Sequence, residues 1–287
     1  MAGGYAPSSP DWAQYWRADA LPVEAMHAHF TSHVYHRHSH ETYSFGVTEA
    51  GAQAFTCRNG RHVSGAGMVM TFNPDDPHDG HAATDGGFTY RMVHIWPEYF
   101  AGLLPVSVLP LFRDPVLADP AAAAALRRLF TALTEPASTL ERQEGMITAA
   151  RLLTRHAAPG RLSAARLAPA LAPATTAATR DVANRMRSTM HDNIDADLDQ
   201  LAQMAECSRF AAYRAFRSEY GMAPSDYQRQ LRIRLARRLL AGGTSPAIAA
   251  AEAGFADQAH LTRWFRRYYG VTPGAYQNCA DRTHLAG

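Results

Sequence analysis

The chain has 287 residues, 47% hydrophobic and 19% charged, with a formal net charge of +2, which suits a soluble protein with room for two separately cored domains. No run of about 18 apolar residues and no basic-then-apolar amino terminus occurs, so neither a membrane span nor a signal peptide is expected, and the expected location is cytoplasmic. Cys57, Cys207 and Cys279 lie too far apart for a disulfide framework or a metal spacing and read as thiols in a reducing compartment.

From about His33 to His94 the residue pattern has the period of strands. Tyr43–Glu49 alternates, Gly51 breaks the run, Ala54–Arg58 resumes it, and Asn59-Gly60 is a strong two-residue hairpin turn. Met68–Phe72 follows Gly65-Ala-Gly67, Asn73-Pro-Asp-Asp-Pro77 turns into His78, and Phe88–Ile95 is a last alternating run. Many short strands with Gly and Pro punctuation predict a small barrel or jelly roll. Ten of the fourteen histidines precede Trp96. His36, His38 and His40 alternate, so a strand would project all three from one face, with His78 at the far side of the strand pair. Two or three histidines on adjacent strands, with a carboxylate, suit a divalent transition metal. Imidazoles hydrogen-bonded in a polar barrel lining are the structural alternative.

Asp119-Pro120 is an N-cap and N1 pair for a helix ending near Leu133, and Ser138-Thr-Leu-Glu141 is a capping box for one running to about His156. Leu126, Leu129, Phe130 and Leu133, then Met146, Ile147, Leu152 and Leu153, suit a helical hairpin packed on its own domain or on a partner subunit. Between about Ala157 and Thr179 three prolines interrupt an Ala- and Thr-rich stretch without amphipathic period, which reads as a tether.

One pattern then occurs twice. Leu201–Ala205, Ser208–Arg217, Gly221 and Pro224 form the first copy; Ile248–Phe255, Asp257–Arg266, Gly270 and Pro273 form the second. Each reads as a short Ala-rich helix, a capped turn, an arginine-bearing helix and a Gly-x-x-Pro stop, which is a helix-turn-helix. Two such heads imply two successive major grooves of DNA. The helix predicted between them, Ser225–Leu240, would span about 24 Å at 1.5 Å per residue, approaching the ~34 Å between successive major grooves once its flanking turns are added. From Asp181 onward the chain holds 14 arginines against 11 acidic residues. Arg229, Arg232, Arg234, Arg237 and Arg238 crowd the joining helix and Arg263, Arg266 and Arg267 the last reading helix, a placement that suits nucleic acid.

His38-Ser-His40, Gly51, Gly60, Gly67 and Asn73–His78 together resemble the cupin-type sensor domain of AraC/XylS-type transcription regulators. The doubled motif, including Gly254-Phe255-Ala-Asp-Gln-Ala-His260 and Gly270-Val-Thr-Pro273, resembles their DNA-binding domain. The resemblance covers about residues 33–277. It implies a two-domain α+β chain: a cupin-like effector-binding and dimerisation domain over 1–156 (barrel about 33–100, helices about 119–156), a linker over 157–180, and an all-α domain with two helix-turn-helix motifs over 181–287. The implied function is a sequence-specific DNA-binding transcription regulator, not an enzyme, controlled by a small-molecule effector in the barrel. Operator DNA, RNA polymerase and a second copy of the chain are its implied partners. The effector would act by changing how the barrel, its helical hairpin and the tether present the DNA heads.

The same resemblance assigns residues. Effector-lining positions carry over to Tyr90 and Met92, with His94 next on that face, and His38, His40 and His78 are candidates for the same site. Metal cupins, which share the fold, use His-x-His, a following Glu and a later His; His38, His40 and His78 match, but Ser44 occupies the Glu position and strand alternation aims Glu41 away. His38, His40 and His78 are therefore candidate ligands of a divalent metal. The alternatives to the effector reading are a metal- or redox-sensing regulator and a metal-dependent cupin enzyme with a DNA-binding appendage. In the first reading helix, Phe210, Tyr213 and Arg214 match base-facing positions, with Arg209 and Arg217 toward the phosphates. In the second, Gln258, Thr262 and Arg263 face bases and Arg266 a phosphate. Phe216, Leu261, Trp264 and Phe265 are expected in the core, and Ala212, Ala215 and Ala249 are expected to leave it lightly filled.

Overall fold

Phe88–Ile95 sits at the centre of the amino-terminal half because both of its faces are apolar. Phe88, Tyr90 and Met92 are buried in one cluster, and Val93 and Ile95 in another. A computed structural model describes residues 11–17, 21–58, 60–104, 109–158 and 176–279. The strands are β1 (Trp12–Arg17), β2 (Val23–Phe30), β3 (Tyr35–His38), β4 (Tyr43–Cys57), β5 (Gly60–Gly65), β6 (Val69–Phe72), β7 (His78–Ala82) and β8 (Phe88–Ile95). They pair antiparallel in the order β1-β2-β8-β4-β6, ending at a two-residue β10 (Val116–Leu117).

The barrel thus begins well before His33. β1 and β2 escape the sequence pattern because Val23–Phe30 reads as Glu, Ala, Met and His, residues of modest strand preference, although Met26, Ala28 and Phe30 alternate inward. Gly51 does not end a strand. At φ +67° it bends a continuous β4, beside a register shift between Thr48 and Ala50. A Cβ there would meet the carbonyl oxygen of Gly87 at 2.0 Å, so only glycine fits. The bend lets the first half of β4 pair with β8 and β6 and the second half with β5 and β7, which wraps one strand around both sides of the barrel. Cys57 and Gly60 close the predicted hairpin; Asn59 lies outside the described residues.

A short α1 (Pro97–Gly102) leads to β9 (Leu111–Phe112), and then α2 (Pro120–Thr134) and α3 (Thr139–Thr154) form the expected hairpin. Asp119 caps two amides of α2, and the Ser138–Glu141 capping box is formed in both directions. Leu126, Leu129, Phe130, Met146 and Leu153 pack on Phe45, Val93 and Ile95 of the sheet's outer face, so the hairpin's main apolar stripe belongs to its own domain. Leu140 and Ile147 stay outside, exposed by 63% and 37%.

Both ends of the expected linker carry structure. Ala157–Ala158 forms β11 against β9, and α4 (Ala177–Asp192) starts from the Thr176 cap. The rest of that stretch, 159–175, lies outside the described residues. Six more helices follow: α5 (Leu198–Met204), α6 (Arg209–Tyr220), α7 (Pro224–Ala241), α8 (Pro246–Glu252), α9 (Gln258–Tyr269) and α10 (Pro273–Gln277). Ser208 and Asp257 cap the two reading helices α6 and α9, and Gly221 and Gly270, at φ +66° and +73°, stop them. The first head has its own core, in which Ala212 and Phe216 meet Met186, Met190, Leu201 and Tyr227. The second does not. Ala249, Leu261 and Phe265 belong to one continuous cluster with Met26, Phe30, Phe72, Tyr90 and Met92 of the barrel.

Candidate functional site

The residues assigned to DNA contact share the outward sides of α6 and α9. Arg209, Phe210, Arg214, Arg217, Gln258, Arg263 and Arg266 are exposed, and Tyr213 and Thr262 half-exposed. Phe210 is 67% exposed, a large cost in water for an aromatic ring unless a partner covers it. Arg214 lies 4.2 Å over that ring and Arg217 donates to the Tyr213 hydroxyl at 3.5 Å, so the first head presents a preassembled aromatic–arginine surface. Arg209 is held by Asp199 at 3.0 Å. In the second head the Thr262 hydroxyl turns back to the Gln258 carbonyl at 2.8 Å, while Arg263 and Arg266 extend outward.

The arginines of α7 serve a different purpose from the one their crowding suggests. Arg234 is buried and bridges Asp75 and Ser39 of the barrel domain; Arg237 pairs with Glu24 and Arg238 with Glu41. Arg229 lies 4.0 Å over the Trp264 ring and Arg232 pairs with Asp195. Trp264 is accordingly half-buried at the seam between the halves rather than in the core, with His36 packed against it. Phe216, Leu261 and Phe265 are fully buried as expected.

Behind this seam lies a small cavity of about 40 Å³, room for a few water molecules. Tyr90, Met92, His94, His38, His40 and His78 all line it, so every residue assigned to the effector site converges there. Tyr15, Glu24, Met26, Tyr35, Gln53, Phe72 and Asp79 complete the barrel side. Its roof comes from the DNA-binding half: Arg237 of α7 and Tyr268 and Tyr269 of α9. The Tyr15 hydroxyl donates to the Tyr269 carbonyl at 2.7 Å, and Tyr35 and Tyr90 share a 2.8 Å hydroxyl contact. Two buried polar atoms at this cavity, Gln53 Oε1 and the Tyr268 hydroxyl, have no partner in the protein. The roof residues were not foreseeable from the doubled motif, because Tyr268-Tyr269 reads as ordinary core at helical spacing. Only their position opposite Arg263 and Arg266 on α9 marks the face that must be covered.

The histidines form one cluster, without His36. His38 lies 4.5 Å from His78 and 4.8 Å from His40 between ring centroids, and His40 lies 4.8 Å from His94. His36 instead stacks on Tyr268. Burial holds all four cluster histidines below the ordinary imidazole range, His78 at about 4 and His94 at about 3, with neighbouring cluster members adding to the depression in His38 and His40. They are neutral at pH 7. The Nδ1 of His38 meets the His36 carbonyl at 2.6 Å and that of His78 the Asp76 carbonyl at 2.8 Å. A carbonyl can only accept, so both Nδ1 atoms carry the proton and both Nε2 atoms keep their lone pairs. Ser44, at the position where metal cupins have Glu, contacts His94 Nδ1 at 2.8 Å, and Glu41 points to Arg238.

Comparison with known proteins agrees with this anatomy. Residues 21–150 match the family model described as AraC-like ligand binding domain, and residues 201–278 match a helix-turn-helix domain. The HTH-type transcriptional regulator YbfI of Bacillus subtilis is 24% identical over 245 residues, covering 84% of this chain and 86% of that one. LumQ of Photobacterium leiognathi, a probable transcriptional regulator, is 33% identical over 101 residues, 32% of this chain and 41% of that protein. The ToxT structure from Vibrio cholerae O395 superposes with a TM-score of 0.55 at 11% identity, covering 93% of this chain and 96% of ToxT. A ToxT structure described as unsaturated fatty acid bound gives 0.56 at 10% identity, covering 96% and 97%. With the sensor and DNA-binding models matched in this order, and a full-length relative of the same architecture, the chain belongs to the AraC-type transcription regulators.

Proposed function

We propose that this regulator binds its operator through α6 and α9 and is controlled by a small-molecule effector held in the barrel cavity. The observation that carries this reading is the origin of the cavity walls: Tyr90, Met92 and His94 come from β8, and Tyr268 and Tyr269 from the helix that also bears Arg263. An effector there touches the second reading helix directly. The control route is therefore contact across the seam, in place of the tether-mediated presentation expected from sequence. The fatty acid in ToxT supports a small-molecule occupant of this fold. At about 40 Å³ the cavity must widen for any organic effector, and widening it pushes on α9.

In this reading the chain is no enzyme; its histidines and tyrosines bind rather than react. Its working form is a homodimer in the cytoplasm, with exposed Leu140 and Ile147 on α3 as the apolar contact between copies, and RNA polymerase is its partner at promoters. The domains are a sensor up to 156, a connecting stretch over 157–180 and a DNA-binding unit from 181. No described helix is long and apolar enough to cross a membrane.

The test begins with operator selection from random duplex DNA on the purified chain, followed by affinity measurements against metabolite pools. Met92→Trp, whose side chain is larger than the cavity takes without widening, is expected to abolish the response to the active pool and leave operator affinity at one value with or without it. A response that survives intact would exclude the cavity as the effector site.

A further inference from the structure

We propose that His38, His40 and His78 form a divalent transition-metal site whose occupancy sets how firmly the DNA-binding half is held on the barrel. This rests on the barrel interior being the effector site and names a class of effector. One ring nitrogen from each histidine lies within 4.8 Å of the others. Nitrogens bound at about 2.1 Å to one tetrahedral ion lie roughly 3.4 Å apart, so small side-chain rotations bring the three together. Two of the rings already have the arrangement of metal-bound imidazoles, the outer Nδ1–H donated to a backbone carbonyl and Nε2 left free. Gln53 Oε1, a buried acceptor without a partner, lines the same cavity. A cation satisfies such a site, and the cavity volume of about 40 Å³ suits an ion with a water better than an organic molecule. Three neutral imidazoles without thiolate select borderline ions such as Zn²⁺, Ni²⁺ or Co²⁺, and a bound ion would leave a position open to water or an anion.

The regulatory part follows from what stands between the ligands. His38 and His40 face the cavity, and Ser39 between them faces α7. The Ser39 amide donates to Gln230 Oε1 at 2.7 Å, Gln230 Nε2 donates to the Ser39 hydroxyl at 2.9 Å, and Arg234 donates to the Ser39 carbonyl at 2.9 Å. The other ligand strand is tied in the same way. The turn leading into His78 contains Asp75, whose amide donates to the His40 carbonyl at 2.7 Å. The Asp75 carboxylate accepts from Arg234 of α7 and Arg187 of α4, at 2.9 and 3.0 Å. Drawing the histidines onto an ion fixes both the Ser39 and Asp75 segments, and each is a docking point for the DNA-binding helices.

The full chain, stripped with chelator and dialysed against micromolar Zn²⁺ or Co²⁺, is expected to retain one ion per chain and, with Co²⁺, to develop visible absorption. Amide hydrogen exchange in α7 should slow on loading. His78→Gln and His40→Gln, checked for native circular dichroism, should each weaken Zn²⁺ binding at least tenfold in a chelator competition. Gln230→Ala, which removes the α7 partner of both the Ser39 amide and the Ser39 hydroxyl, should keep the ion and reduce the exchange response. Absence of a stoichiometric ion, or equal affinity in both histidine variants, overturns the site. An ion that binds without slowing α7 exchange overturns its regulatory role. A metal-free protein that still answers a metabolite pool leaves the proposed organic effector standing, so the two readings fail separately.

Discussion

Asp75 and Arg234 stand 159 residues apart in sequence and meet at 2.9 Å, with Arg234 almost wholly withdrawn from water at 5% exposure. The same carboxylate takes Arg187 at 3.0 Å. One acidic side chain on a barrel turn therefore holds two helices of the DNA-binding half. Asp75 sits at φ +60°, a conformation that Asp and Asn tolerate better than other side chains.

Asp75→Asn keeps that backbone preference and removes the charge, leaving Arg234 and Arg187 without their shared anion. Breaking a buried ion pair from one side costs about 3 kcal/mol. Urea unfolding of the full chain should show a loss of that order. Replacing Arg234 with Met as well should recover part of it, because the stranded guanidinium is then gone. A single variant as stable as the parent would mean that the two halves do not depend on this contact.

Gly270 and Gly221 stop α9 and α6 in the same left-handed conformation, yet their surroundings differ. A Cβ on Gly221 would meet only the Arg37 guanidinium at 3.0 Å, whereas one on Gly270 would strike the Phe30 ring of the barrel at 2.6 Å. Alanine at either site incurs about 1–2 kcal/mol of left-handed strain. Gly270→Ala adds the displacement of Phe30, and its loss in thermal stability should be clearly larger than that of Gly221→Ala. Equal losses would show that the second head is not packed on the barrel as described.

These contacts mark the boundary of what the sequence made legible. Helix ends were readable because capping is local: Asp119, Ser138, Ser208 and Asp257 each bond amides two or three residues on. The doubled motif fixed both heads for the same reason, and the alternation of Tyr90, Met92 and His94 placed them on one wall. The roof of the cavity was not readable. Arg234 and Arg237 look like DNA contacts on a helical wheel, and only the barrel partners Asp75 and Glu24, far away in sequence, reassign them. Ala212 illustrates the same limit from the opposite side. Read as a thinly filled position, it is fully buried in one cluster with Met186, Met190 and Tyr227, partners that lie outside its own helix.

His33 supplies a pH dependence. Its Nε2 is buried without a partner and its ring packs on Phe30 and Tyr35 at 4.8 and 4.5 Å. Burial lowers its pKa below the ordinary 6.5; Asp11 works against the shift and Arg266 adds to it. The unfolded chain therefore takes up this proton first as pH falls. The contribution of neutral His33 is complete above pH ~6.5 and is lost on acidification toward its lower folded value. His33→Phe keeps the ring contacts and cannot titrate. Its melting temperature minus that of the parent should rise between pH 7.5 and 5.5, while the histidines common to both proteins cancel. A flat or falling difference would mean that His33 is solvated in the folded state.

Arg263 and Arg266 are both exposed on α9 and carry the same charge, so substituting each in turn separates base reading from phosphate binding. Arg263 lies in the second turn after the Asp257 cap, in the half of a reading helix that meets base edges; Arg266 lies in the last turn, over the backbone. Loss of a bidentate arginine–guanine contact costs about 1–3 kcal/mol at one position of the site, and loss of a phosphate contact weakens all sequences alike while lowering the salt slope by about one. Arg263→Ala should thus reduce operator affinity about ten- to hundredfold, relax selection at a single base pair and change non-specific binding much less. Arg266→Ala should weaken operator and non-specific DNA by the same factor. Anisotropy titrations on the selected operator and a scrambled duplex, at several salt concentrations, measure both quantities. The assignment fails for Arg263 if its variant loses equally on both duplexes, and for Arg266 if the salt slope is unchanged.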